Sequence, residues 1–178
     1  MGIFEKIKKS GVLELIQDPR LIDLVTKREF RIGQEELRRE LMTQTEGDEA
    51  LQELSVTISE GFLVLAGKVR KRPIPFAIPF SARFTLHSME FSPRNKTVHL
   101  RLEELKPIGF DSLTKKIVEK IPFLTFADGL VTVHLAHVPR LSGLLGCQVK
   151  GFRPFDHIVV KDLFFREGEI TGKVGVLL

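Results

Sequence analysis

Two histidines three residues apart, in the stretch HLAH, are the first place in this chain where side chains could do chemistry. On a helix His134 and His137 would share a face and could hold a metal ion; on a strand, an odd separation sends them to opposite faces. Hydrophobic alternation ahead of them and Pro139 behind them argue for a strand, so no metal site is expected. His87 and His99 fall on the wet positions of alternating stretches, and His157 stands exposed at a strand start. Ser142 and Cys147, in LSGLLGCQ, lack the G-x-S-x-G spacing that lifts a nucleophile onto a strained elbow. Neither GxxxxGK[ST] nor GxGxxG occurs, so no phosphate-cradling glycine loop is expected. The acids Glu60, Glu90, Glu103, Glu104, Asp128 and Asp162 sit mainly at turns or on wet strand positions. These residues predict no catalytic group, no metal and no cofactor: the chain is not expected to be an enzyme.

The remaining chemistry is basic and apolar. GKVRKRP places Lys68, Arg70, Lys71 and Arg72 within five positions. Such a run is ordinarily a solvated loop, but beside an apolar mouth it suits a phosphate headgroup or an anionic bilayer, because arginine presents a planar fork to phosphate. The stretch that follows, RPIPFAIPFSARFTL, supplies the apolar surface. From Ile74 its even positions read Ile74, Phe76, Ile78, Phe80, Ala82, Phe84 and Leu86, while Pro73, Pro75 and Pro79 share the odd positions. At roughly 3.3 Å per residue, 74–86 spans about 43 Å, and continuation to Phe91 adds about 16 Å, far beyond an average strand. One apolar face this long requires a sheet that curves around apolar matter, and strict alternation requires that sheet to be antiparallel with one side wet. The three prolines lack a backbone donor on the same lateral side, which predicts an edge, or a seam where the sheet opens. An open seam beside Ile74, Phe76, Ile78 and Phe80 is a mouth for a lipid chain; the plainer alternative is a proline-guarded edge over a filled core.

The elements that must position this surface follow from periodicity. The first third is helical: Ile3, Phe4 and Ile7 share a face, and DPRLIDLVTK opens on Asp18 as N-cap and Pro19 at the first helical position. Phe30 and Ile32 read as a short strand leading into a helix headed by Glu35 and Glu36. From residue 51 the period becomes two. LSVTISEGFLVLAGKV turns at Glu60-Gly61, the long strand ends at SPRNKT, and TVHLRLEEL returns. GFDSLTKKIVEKIP is a second helix over 111–121, with Leu113, Ile117 and Ile121 on its apolar stripe and Pro122 as its stop. DGLVTVHLAHVP is a further strand, a glycine-rich loop follows, and DHIVVKDLFFREGEITGKVGVLL closes the chain as a hairpin. SEGFLVLAGKV and REGEITGKV echo one another as turn followed by alternating strand.

Composition agrees with this picture. All 14 large aromatics are Phe, with no Trp or Tyr, which places ring area in an interior or against a greasy ligand. Net charge is +4, with the basic residues spread over the chain and the rings in core patterns, so nucleic-acid binding is not expected. The lone Cys147 reads as a small buried hydrophobe. MGIFEKIKKSGVLELIQD lacks a signal-peptide core, and Lys6 stands where myristoylation needs Ser or Thr, so the chain as written is expected in the cytoplasm, peripheral to a membrane at most; a trimmed leader would place it in the envelope.

The order of parts over roughly 28–178 resembles bacterial members of the tubular lipid-binding (TULIP-like) group, in particular the small phospholipid-binding proteins of the LmeA type. FRIGQEELRREL is similar to their strand leading into an acidic-headed helix, and LSVTISEGFLVLAGKV and IVVKDLFFREGEITGKV to their strand, acidic-Gly turn, strand and glycine units. The resemblance implies a long twisted antiparallel sheet wrapped around a helix, with lipid held in the groove.

Taken together, the expectation is one α+β domain over 1–178: N-terminal helices in 1–45, then a β-rich part over 46–178 whose long curved antiparallel sheet wraps the 111–121 helix. The expected function is non-catalytic binding or carriage of a lipid or other long apolar ligand. Ile74, Phe76, Ile78, Phe80, Phe84 and Leu86 would form one wall, Leu113, Ile117 and Ile121 the other, and Lys68, Arg70, Lys71 and Arg72 would meet the headgroup or an anionic membrane. The alternative is a solid-core interaction module without a small-molecule ligand.

Overall fold

Nine strands form two antiparallel sheets, in a computed structural model that describes residues 5, 23–24, 26–70, 72–107, 111–146, 148, 151 and 153–176. The N-terminal helices expected before residue 23 lie outside the described residues, though the Lys27 N–H donates to Asp23 O at 2.8 Å, a helical spacing. A six-stranded sheet has the order β2 (Leu51–Ser59), β3 (Phe62–Arg70), β4 (Ala77–Phe91), β5 (Lys96–Lys106), β7 (Leu130–His134) and β6 (Leu124–Ala127). The second sheet has three strands, β1 (Glu29–Gly33), β9 (Glu169–Val176) and β8 (Ile158–Arg166), in that order. Helix α1 (Gln34–Gln44) follows β1, α2 (Asp111–Glu119) separates β5 from β6, and α3 (Pro139–Leu145) follows β7.

Three of the hairpins use two-residue turns, and their residues explain them. Gly61, Gly129 and Gly168 all have positive φ at the second turn position, and Asp128 has it at the first, so Asp128-Gly129 alone of the three meets the mirror-image type I′ requirement that matches strand twist. Strand β6, paired with β7 through the Asp128-Gly129 turn, was not expected from the sequence. Two further expectations are corrected. The strand reading of HLAH ends at His134; Leu135–His137 is a 3-10 turn, and the His134 and His137 rings stack with centroids 5.7 Å apart. The glycine-rich loop after it contains α3, begun by Pro139 at a position where a missing N–H removes no helical bond.

Cross-strand register sorts the six-stranded sheet into a dry and a wet face. On the dry face Val56, Ile58, Leu63, Ala82, Phe84 and Val131 are buried in one cluster. Helix α2 and the turn after it press Val118 and Ile121 into that cluster, and α1 adds Leu41. Strand β8 of the other sheet contributes Phe165 to the same cluster. The wet face carries Arg83, Thr85, Glu103, Arg101 and Thr132, with Thr85 Oγ1 donating to Glu103 at 2.8 Å.

The two sheets are joined by backbone as well as by core. Gln34 Oε1 accepts the Ile58 N–H at 2.8 Å, and the Gln34 N–H donates to Gly168 O at 2.9 Å. The Gly168 N–H donates to Ile58 O at 2.8 Å and the Gly61 N–H to Phe165 O at 3.1 Å, while Arg166 reaches Glu60 across the gap. Within the smaller sheet Phe30 lies directly opposite Gly172, and a Cβ at that glycine would fall 2.3 Å from the Phe30 ring and 2.9 Å from Asp162 O. Gly172→Ala therefore lifts the ring off β9, and we expect a loss of about 1–3 kcal/mol in urea denaturation; an unchanged midpoint would show that the ring does not depend on this seat.

Candidate ligand-binding site

The long strand begins later than the alternation suggested, and that places its first apolar residues outside the sheet. Strand β4 starts at Ala77, so Ile74 and Phe76 precede it. Over 77–80 the strand pairs with β3 alone, from Ala77↔Arg70 to Phe80↔Gly67; pairing with β5 begins at Ser81↔Lys106. Among the described residues, β4 thus overhangs β5 by four residues on that side, and Pro79, which has no N–H, lies in the overhang where it interrupts no ladder bond to β5.

The expected wall divides into three zones along this strand. At the tip, Phe76 is 64% exposed and Ile74 half-buried. In the overhang, Ile78 packs against a cluster formed by Phe80, Ile117, Leu51, Leu54 and Val69. Further in, Phe84 and Ile121 are buried in the central core and Leu86 packs against it. Phe80 and Ile117 are each 5% exposed and share the cluster under the overhang, while Ile121, 1% exposed just beyond α2, shares the central core with Phe84. The Leu113 side chain and all of Lys71 lie outside the described residues.

The cluster under the overhang depends on two features that alternation does not reveal. Glu53 adopts φ +52°, at the irregular register between Gln52 and Ser55, and the displaced strand turns both Leu51 and Leu54 inward. Gly67 sits opposite Phe80, where a Cβ would meet the ring at 3.1 Å and Leu54 Cδ2 at 3.0 Å. The ring packs close to the β3 backbone because that position has no side chain.

Charge is distributed unevenly around this end of the sheet. Lys68 is paired with Glu53 at 2.7 Å, whereas Arg70 and Arg72 are exposed beside Phe76 in sequence and on the same end of the sheet. At the C-terminal end of α2, Lys120 donates to Asp48, and this hydrogen bond holds the Asp48 carboxyl below its ordinary range against a smaller opposing effect of burial. At the β4–β5 turn Lys96 is buried, which lowers its ammonium pKa despite nearby Asp156, and its Nζ donates to Ser92 O at 2.9 Å.

The histidines of the wet face are engaged by neighbouring polar side chains. His99 Nδ1 lies 2.9 Å from Thr132 Oγ1, His134 Nε2 3.1 Å from Thr125 Oγ1, and His87 Nδ1 2.8 Å from Arg101. No group of three His, Cys, Asp or Glu among the described residues is placed to hold a metal ion. A surface cleft of about 330 Å³ near β1 is lined by Asp23, Lys27, Glu29, Phe30 and Arg31, a charged lining unsuited to an acyl chain. No helix among the described residues is long and apolar enough to cross a membrane.

Compared with protein-family models, curated proteins and solved structures, the chain matches none.

Proposed function

We propose that the protein binds or carries a lipid or other long apolar ligand without catalysis, taking it up at an anionic membrane surface through the overhanging end of β4. The observation that carries this reading is Phe76, a large ring left 64% exposed at the mouth and adjoined by exposed Arg70 and Arg72. An exposed ring beside arginines matches a bilayer interface, where the ring enters the acyl boundary and the guanidinium groups meet phosphate. In this reading the sheet curves about α2 in the manner of the TULIP-like group, and the cluster of Phe80, Ile117, Leu51 and Val69 is the floor onto which an acyl chain slides.

A second reading draws on the same floor. Phe80, Ile117, Phe84 and Ile121 are buried against the chain's own side chains, which favours a solid-core interaction module whose exposed Phe76 contacts a protein. Cosedimentation with vesicles of phosphatidylethanolamine and phosphatidylglycerol, followed by native mass spectrometry, separates the two. At about 1 kcal/mol per basic residue near an anionic surface, the double change Arg70→Gln, Arg72→Gln should weaken vesicle binding roughly thirtyfold. Wild-type protein that neither sediments with these vesicles nor carries lipid in the mass spectrum would hand the case to the interaction module.

A further inference from the structure

Helix α2 buries one polar side chain on the stripe that faces the sheet. Thr114, Ile117, Val118 and Ile121 follow the three- and four-residue spacing of a single helical face, and all four are buried. Val118 and Ile121 belong to the central core, and Ile117 belongs to the cluster beneath the β4 overhang. The stripe therefore runs from the core toward the mouth, and Thr114 lies one turn beyond Ile117 in that direction. Thr114 is 5% exposed, and its Oγ1 has no hydrogen-bond partner among the described residues. A buried hydroxyl without a partner forfeits its hydration with nothing gained in return, and helical threonines usually avoid this by bonding a preceding carbonyl.

We infer that the Thr114 hydroxyl is the polar anchor of the ligand site and that its ligand is an acyl lipid, whose carbonyl oxygen accepts a hydrogen bond from it. This rests on the lipid-binding reading above and adds the ligand class to it. The neighbouring cluster is wholly apolar, made of Leu51, Leu54, Val69, Phe80 and Ile117, so an ionised headgroup is disfavoured at this depth. A carbonyl is an uncharged acceptor that one hydrogen bond can satisfy, and a single buried hydroxyl has one to donate. The chain then lies along the floor, and any charged headgroup points back toward Arg70 and Arg72.

The test compares wild type, Thr114→Val and Thr114→Ser for uptake of radiolabelled methyl palmitate, palmitate, dipalmitoylphosphatidylglycerol and hexadecane. Valine keeps the shape and removes the hydroxyl; serine keeps the hydroxyl. The expected result is a roughly tenfold weaker affinity of Thr114→Val for the ester-bearing ligands, unchanged hexadecane binding, and recovery in Thr114→Ser. Palmitate, whose only oxygen atoms belong to an ionised carboxylate, should bind wild type more weakly than methyl palmitate or the phospholipid, and equal affinity would overturn the neutral-carbonyl anchor. The ligand-free Thr114→Val protein should melt no lower than wild type, because no native bond is removed. A lowered melting temperature, or equal ester affinities in wild type and Thr114→Val, overturns the anchor while lipid binding stands. Wild type that takes up neither ester nor hexadecane overturns the lipid reading and the anchor together.

Discussion

Phe80→Asp will unfold the protein or leave it on the edge of unfolding, while Phe76→Asp will leave its melting temperature nearly unchanged and, on the proposed lipid-binding reading, abolish lipid uptake. The two residues are four apart on the same alternating face, and alternation alone assigns them one role. Their surroundings differ: Phe80 is 5% exposed against Leu54 and Ile117, and Phe76 is 64% exposed. Removing a buried phenyl ring costs about 3–5 kcal/mol. Leaving an unpaired carboxylate in its place adds several more, within a total stability of about 5–15 kcal/mol. At Phe76 the substitution falls on the surface, where such changes stay within about 0.5 kcal/mol. Thermal melts and vesicle cosedimentation of the two single variants decide the matter. A Phe76→Asp protein that still sediments with anionic vesicles at wild-type affinity would remove the exposed ring from the binding surface.

Ile121→Ala measures how firmly α2 is held against the sheet. Ile121 is 1% exposed, just beyond the helix, where its N–H donates to Val118 O at 3.0 Å as the chain tightens before Pro122. It belongs to the cluster of Val56, Phe84, Phe123 and Val131. Deleting three carbons there leaves a cavity that rigid neighbours cannot close, so the expected loss is about 2–5 kcal/mol, read as a lower urea midpoint at unchanged slope. A loss well under this range would show that the helix moves in to fill the gap, and hence that the space between α2 and the sheet is adaptable. At the other end of the helix face, near Thr114, such adaptability is what the proposed ligand entry needs; at Ile121 rigidity is expected, because that end anchors the helix.

Local grammar was legible in the sequence, since it depends on neighbours in the chain. Period-two alternation identified β2, β3, β5 and β7, and the Glu60-Gly61 turn followed from a glycine that tolerates positive φ. The division into a wet and a dry face was legible for the same reason. So was the 111–121 helix, whose terminal Pro122 agrees with α2 at Asp111–Glu119 and the tight turns that follow it, and whose Ile117 and Ile121 are buried. The echo between LAGKV and ITGKV was visible as a pattern but not as a cause. In the fold, Gly67 and Gly172 each lie opposite a phenylalanine of the next strand, Phe80 and Phe30, whose ring rests where a side chain would be. The glycine can be read from the chain alone, but the ring that requires it cannot, because it arrives from a different strand.

Tertiary structure decided the rest. The closing hairpin joins β1 in a separate sheet because Gln34 and the Gly168 backbone tie it to Ile58 while Phe165 enters the core. No local pattern encodes those distant partners. The prolines marked a break in pairing, but the length of the overhang depends on where β5 stops, and only the assembled sheet shows that this leaves Phe76 outside and Phe80 within. The sequence by itself determined which faces are apolar, because side-chain period is a property of the backbone. Which apolar residues fill the core, and which stay open to a ligand, was determined by packing between segments far apart in the chain.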